Sequence, residues 1–326
     1  MKILRYILYV STYLMASPIY TNTINVKQQE KIKLNLVKEG FPSIFLADYI
    51  ITEKNLPDLL RILSIVNGYK EAHAITIGYD TEVEDWTISF QGYPALYWAQ
   101  GRLLPKSEIS KMQQYRSYIN YQWRQEPIDM RQWPVERLIR FQQSTKPEIQ
   151  RTRTVYHGKY HHLLYEGHDQ KSIEAQLIPI TFLGTSLRIH KIAAPALQRV
   201  AMKITKASQR DQSLKDFLMT LTTPGSYYWR NIAGTNTVSY HSYGVAIDIN
   251  PKKTQRPIYW LWESQRNKEW YLVAPQDRWQ IHPKVIQFFL EEGFLWGGTW
   301  PQYDIMHFEY RPELKELARL QQLFKL

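Results

Sequence analysis

Two short stretches near the C-terminus carry residues that could hold a catalytic metal. The first contains Ser239, His241, Gly244, Ala246 and Asp248; the second contains Asp304, His307 and Glu309. The imidazoles of His241 and His307 with the carboxylate of Asp248 form a donor set suited to zinc. Three protein ligands leave a coordination position for water, which separates a catalytic zinc from a structural one. Zinc lowers the pKa of its water to about 7 and polarises a scissile carbonyl. Asp304, three residues before His307, is then placed to take the water's proton and pass it to a leaving amine. Glu309 and Ser239 are assigned to orienting the ligand side chains from behind.

Local structure must bring these residues together. Val245, Ile247 and Ile249 alternate with Ala246 and Asp248, which predicts a strand with the aliphatics inward. In the second stretch His307 and Glu309 share one strand face, and Phe308 and Tyr310 point into the core. The interval from His241 to Asp248 exceeds a helical turn and suits a loop ligand folded back over a strand ligand. Gly244 permits the turn between them. Gly297 and Gly298, between Trp296 and Trp300, mark a place of close backbone approach. Helices are predicted over residues 193–208, with Pro195 in the first turn, and over 283–292, with Gly293 as the stop.

The first half is less explicit. A helix is expected around residues 56–66, strands over 74–78 and 86–90, and two or three helices across 107–153. Residues 21–29 read as a flexible polar lead-in. His157, His161, His162 and His168 lie among strand-like flanks, with Gly158 interrupting any helix, and read as exposed hairpin residues. The aromatic run 257–262 fits either a groove wall or packing over the sheet.

The 326 residues include no cysteine, so a metal must be held by His, Asp or Glu. The formal charge of +11 favours an anionic partner, yet it forms no Lys/Arg block, which argues against nucleic acid. Lys2 and Arg5 followed by the short apolar run 6–16 resemble a secretory leader. An uncleaved anchor and a buried helix are the alternatives, and no later segment is apolar enough to cross a membrane.

The joint pattern Ser-x-His-x-x-Gly-x-Ala-x-Asp, Trp-Gly-Gly-x-Trp and Asp-x-x-His-Phe-Glu resembles the zinc D-alanyl-D-alanine carboxypeptidase and L-alanyl-D-glutamate endopeptidase family. That family sits in the wider group named for lysostaphin, D-Ala-D-Ala peptidases and sonic hedgehog. The resemblance covers roughly residues 193–311. It implies an α+β core with a central antiparallel sheet flanked by helices; the N-terminal region before it, outside the resemblance, reads from its own residues as helix-rich. It implies zinc on His241, Asp248 and His307, and Asp304 as the acidic base. The implied substrate is the stem peptide of bacterial peptidoglycan, met in the periplasm or cell envelope. A D-alanyl-D-alanine carboxypeptidase or dipeptidase, or a non-catalytic wall-binding module, are the alternatives. The family's Tyr-Arg-Ser segment before the first histidine is missing here, so Arg230 is the candidate to hold substrate. The resulting organisation is a leader at 1–20, an accessory region at 21–190 and a metallopeptidase region at 191–326.

Overall fold

The computed structural model describes residues 24–118 and 121–325. The expected leader lies outside them. The fold is α+β, with helices set around three small antiparallel sheets.

The chain opens with α1 (Val26–Lys38), then α2 (Leu56–Tyr69). Strands β1 (Ile75–Asp80), β2 (Asp85–Phe90) and β3 (Leu96–Tyr97) form the first sheet in sequential order. Helices α3 (Val135–Ser144), α4 (Pro147–Thr152), α5 (Lys159–Leu164) and α6 (Gln170–Glu174) follow, then the hairpin β4 (Leu177–Phe182) and β5 (Thr185–His190). Next come α7 (Ala194–Ser208), α8 (Gln212–Met219), β6 (Ala246–Asp248), α9 (Trp260–Glu263), α10 (Pro283–Glu291), β7 (Phe294–Trp296), β8 (His307–Tyr310) and α11 (Pro312–Phe324). No helix among the described residues is long and apolar enough to cross a membrane.

The last sheet positions the site. Its order is β6-β8-β7, so β8 is central, and its register sets Asp248 opposite His307 and Ala246 opposite Glu309. The opposite face is apolar. Phe308 stacks on Phe289 of α10 with centroids 4.0 Å apart, and Val245, Ile247 and Phe294 are buried with them. The alternation read from the sequence therefore holds on both strands.

The buried core runs through the whole described chain, from Leu36 to Leu320. The aliphatic face of α2 (Leu59, Leu63) packs against that of α11 (Leu314, Leu317, Leu320). Gly68 makes this approach possible, because a Cβ there would lie 2.7 Å from the Glu313 backbone. The N-terminal segment thus shares its core with the segment carrying His241, Asp248 and His307.

Two local expectations are corrected. The lead-in over 21–29 gives way to helix from Val26, because Asn25 and Gln28 form a reciprocal capping box and Leu36 anchors the helix in the core. The histidine cluster is not a hairpin, and of its four members only His168 is exposed. Gly158 caps α5 instead of breaking it, and Tyr160, His161, Leu163 and Leu164 are buried. The spacing of Tyr160, Leu163 and Leu164 is the helical signal that the glycine obscured. Burial holds the His161 imidazole neutral, its pKa pushed down to about 3.

Candidate metal centre and its supports

His241 sits in a tight loop rather than in regular structure. Ser239 Oγ accepts the His241 N–H at 3.3 Å, and the Gly244 N–H donates to the His241 carbonyl at 3.0 Å. Gly244 has φ +67°, and a Cβ there would come within 2.3 Å of Leu177 on β4. The Gly244 carbonyl also accepts from His190 on β5 at 2.7 Å. Both the left-handed backbone and the approach of the hairpin demand glycine. Gly244→Ala is therefore expected to destabilise the chain by at least the ~1–3 kcal/mol of a left-handed non-glycine residue. Urea unfolding of the two proteins measures this difference.

The loop aims the ring. His241 Nδ1 donates to the Ser226 carbonyl at 2.5 Å, which leaves the Nε2 lone pair facing inward. His307 is held in the mirror sense. Its Nε2 lies 3.3 Å from Glu309 Oε2, a carboxylate that can only accept, so Nδ1 faces inward. Asp248, opposite on β6, completes the set. His241 Nε2 is 3.2 Å from Asp248 Oδ1 and 3.2 Å from His307 Nδ1, and His307 Nδ1 is 3.1 Å from Asp248 Oδ1.

These three atoms make a nearly equilateral triangle. Ligands about 2.0–2.2 Å from a tetrahedral zinc would be separated by about 3.3–3.6 Å. The triangle is slightly tighter and needs only a small expansion to admit an ion. His241, Asp248 and His307 are also the only metal-capable grouping of this kind among the described residues.

The local charge fits a cation as well. Burial would push the Asp248 carboxyl up, but His241 and His307 hold it well below the ordinary range. Burial would push His307 down, yet Asp248 and Glu309 raise it to about 10. An imidazole is kept protonated there because negative charge surrounds it, and a metal dication would replace that proton.

Asp304 stands beside this group. Its backbone N–H donates to the Gly297 carbonyl at 3.1 Å, and it pairs with Tyr259 in an antiparallel bridge. A Cβ at Gly297 would fall 2.6 Å from the Asp304 carbonyl, which explains the first glycine of the Trp-Gly-Gly turn. Asp304 Oδ1 is buried without a hydrogen-bond partner. Burial, reinforced by Asp248 and Glu309 against the opposing His307 and Arg230, pushes its carboxyl up to about 7.

Arg230 is exposed, and its charge acts on Asp304 and Tyr259. Its backbone is pinned by Ser242, whose Oγ accepts the Arg230 N–H at 2.8 Å and donates to the Arg230 carbonyl at 2.6 Å. Ser242, Ser226 and Arg311 are supports that sequence reasoning missed. The first two act through backbone groups that no spacing rule reveals. Arg311, two residues past Glu309 on the same strand alternation, could have been suspected. In the 257–262 run, Tyr259 and Trp260 are half-buried in the core while Trp262 is exposed.

The fold and site define an α+β protein in which a His-Asp-His group could hold a metal, beside a half-buried aspartate whose Oδ1 has no partner. Residues 233–310 match the family described as D-alanyl-D-alanine carboxypeptidase, a stretch that contains His241, Asp248, Asp304 and His307. This supports a peptidase. Residues 33–120 match a domain of unknown function. No curated protein and no solved structure matches the chain.

Proposed function

We propose that this chain is a zinc-dependent peptidase that hydrolyses peptide bonds in the stem peptides of bacterial peptidoglycan. The observation that carries the reading is a three-donor triangle with a buried, unpartnered carboxyl oxygen on Asp304 beside it. The match to a peptidase family over the same residues supports it. Export to the periplasm or cell envelope is part of the proposal, motivated by the basic and apolar start of the chain.

Zinc held by His241, Asp248 and His307 supplies Lewis acidity, acidifying water and polarising a carbonyl. The chain's own groups do the rest. Asp304 takes the proton of the attacking water and delivers it to the departing amine, so that one water is consumed and one carboxylate and one amine are released. Ser226 and Glu309 fix the two imidazoles, and Ser239 fixes the loop that carries His241. Arg230, exposed nearby, binds a carboxylate of the peptide or the developing oxyanion. An unpartnered carboxyl oxygen beside the three donors favours catalysis over a non-catalytic binding module.

A carboxypeptidase or dipeptidase is the second reading. The description of the matched family favours it, as does an exposed arginine able to take a terminal carboxylate. Digestion of purified peptidoglycan followed by mass spectrometry separates the two, since one releases single D-alanine and the other cuts within the stem. Intact stem peptides after prolonged digestion with zinc-loaded protein would refute the endopeptidase and the carboxypeptidase, and failure to split free D-alanyl-D-alanine would refute the dipeptidase.

The pH dependence follows from Asp304. A general base acts only when unprotonated, so kcat/KM falls as pH drops through its pKa. The carboxyl stands at about 7 without a metal, and a neighbouring dication lowers it. An acidic limb with its midpoint at or below about 7 is expected in a pH–rate profile. A limb rising toward acid would contradict the assignment.

A further inference from the structure

Behind His307 a chain of buried contacts leads away from the metal centre. Glu309, which holds His307 Nε2 through Oε2, receives Arg311 Nη1 on Oε1 at 3.0 Å. Arg311 Nε donates to Glu313 Oε1 at 2.5 Å, and the Tyr69 hydroxyl donates to Glu313 Oε2 at 2.7 Å. Glu309 is 3% exposed, and Arg311 and Glu313 are fully buried. The guanidinium also lies over two aromatic rings, 5.3 Å from the centroid of Tyr118 and 5.0 Å from that of Tyr240.

We propose that Arg311 is a positioning residue for the metal ligand His307, and that Tyr69 and Tyr118 of the N-terminal segment hold it in place. The inference rests on the reading of His241, Asp248 and His307 as a metal site. Two carboxylates four residues apart in a dry interior repel each other, and each needs a cation or several donors to stay there. One planar guanidinium serves both, and its fork sets the direction of each. Glu309 can then present a single oxygen to His307 and keep Nδ1 aimed at the metal. Carboxylates behind ligand histidines act in this way generally.

The far end of the relay belongs to other parts of the chain. Tyr69 ends α2, and Gly68 is the residue whose missing side chain lets α2 meet the Glu313 backbone. Tyr118 is tied by its N–H to the Gly101 carbonyl at 2.7 Å. Both tyrosines fall within residues 33–120, the part matched to a domain of unknown function. Tyr240 precedes His241, so the guanidinium also touches the loop of the first ligand. One role of the N-terminal segment is therefore to complete the wall behind the metal ligand.

The test uses the full chain and two readouts. Zinc affinity is measured by competition with a chromophoric chelator for wild type, Arg311→Lys and Tyr69→Phe. The Nε2–H proton of His307 is followed by NMR as a downfield, slowly exchanging signal, assigned by its loss in His307→Gln. Arg311→Lys is expected to bind zinc about 10–100-fold more weakly, and Tyr69→Phe several-fold more weakly. Exchange of the His307 proton should quicken in both, although the phenylalanine variant keeps its ring packing and, having lost one donor to a buried carboxylate, unfolds at a somewhat lower midpoint. Wild-type affinity and wild-type exchange in a folded Arg311→Lys would overturn the proposal. If that variant does not fold, Tyr69→Phe decides by the same two measurements. Failure of wild type to take up zinc would sink the metal-site reading instead, and the exchange measurement on metal-free protein would still judge the relay.

Discussion

Asp304→Asn is expected to keep its zinc and to lose hydrolysis by about 10²–10⁴-fold, the contribution of a positioned general acid–base group. The substitution preserves shape and leaves the three donors of the triangle untouched. It removes the capacity to accept a proton. Asp304 suits the task because burial and the neighbouring Asp248 and Glu309 disfavour its charge, raising its pKa to about 7 before a bound metal lowers it. An ordinary surface aspartate would be too weak a base near neutral pH. The loss should fall on kcat with little change in KM, because the proton moves only in the transition state. Zinc content by atomic absorption and steady-state kinetics together check this. Cleavage by Asp304→Asn at the wild-type rate would remove Asp304 from the mechanism.

His307→Ala is expected to weaken zinc binding by more than the ~10–100-fold cost of losing a partner behind a ligand, since it removes a ligand itself. It should also lower, by about one, the number of protons released on zinc uptake. Without metal, Asp248 and Glu309 raise the His307 pKa to about 10, so at pH 7–8 the ring is protonated. Metal binding requires the neutral ring, so this ring gives up about one proton per zinc bound, and affinity rises with pH up to that value. Calorimetry in buffers of different ionisation enthalpy counts the protons. Full zinc occupancy in His307→Ala would move the centre elsewhere, and uptake without proton release would contradict the charge balance described.

The candidate ligands were legible because their chemistry is local in type. The joint pattern of two histidines and an aspartate points to a metal where one stretch alone would not, and alternation places Asp248 and His307 each on a polar strand face; their pairing is set by the register of β6 on β8. Helices α2, α7 and α10 were legible for a similar reason, since their apolar stripes repeat at helical spacing. Elsewhere the local signal misled. Polar residues hid α1, which a reciprocal cap and one buried leucine suffice to hold. A glycine concealed α5, where it caps the helix and His161 turns inward.

The sequence by itself determined which atoms could bind and activate: two imidazoles, the carboxylate of Asp248 and the spare carboxyl of Asp304. Their identity is a matter of composition and short spacing, which folding does not alter. Tertiary structure decided which ring nitrogen faces inward, how far the Asp304 proton affinity rises, and that Arg311 with Tyr69 and Tyr118 stands behind His307. Those properties depend on burial and on partners far away in the chain, such as Tyr69 and Glu313, 244 residues apart. Short-range pattern carries no record of such contacts, because they form only when α2 and α11 pack together.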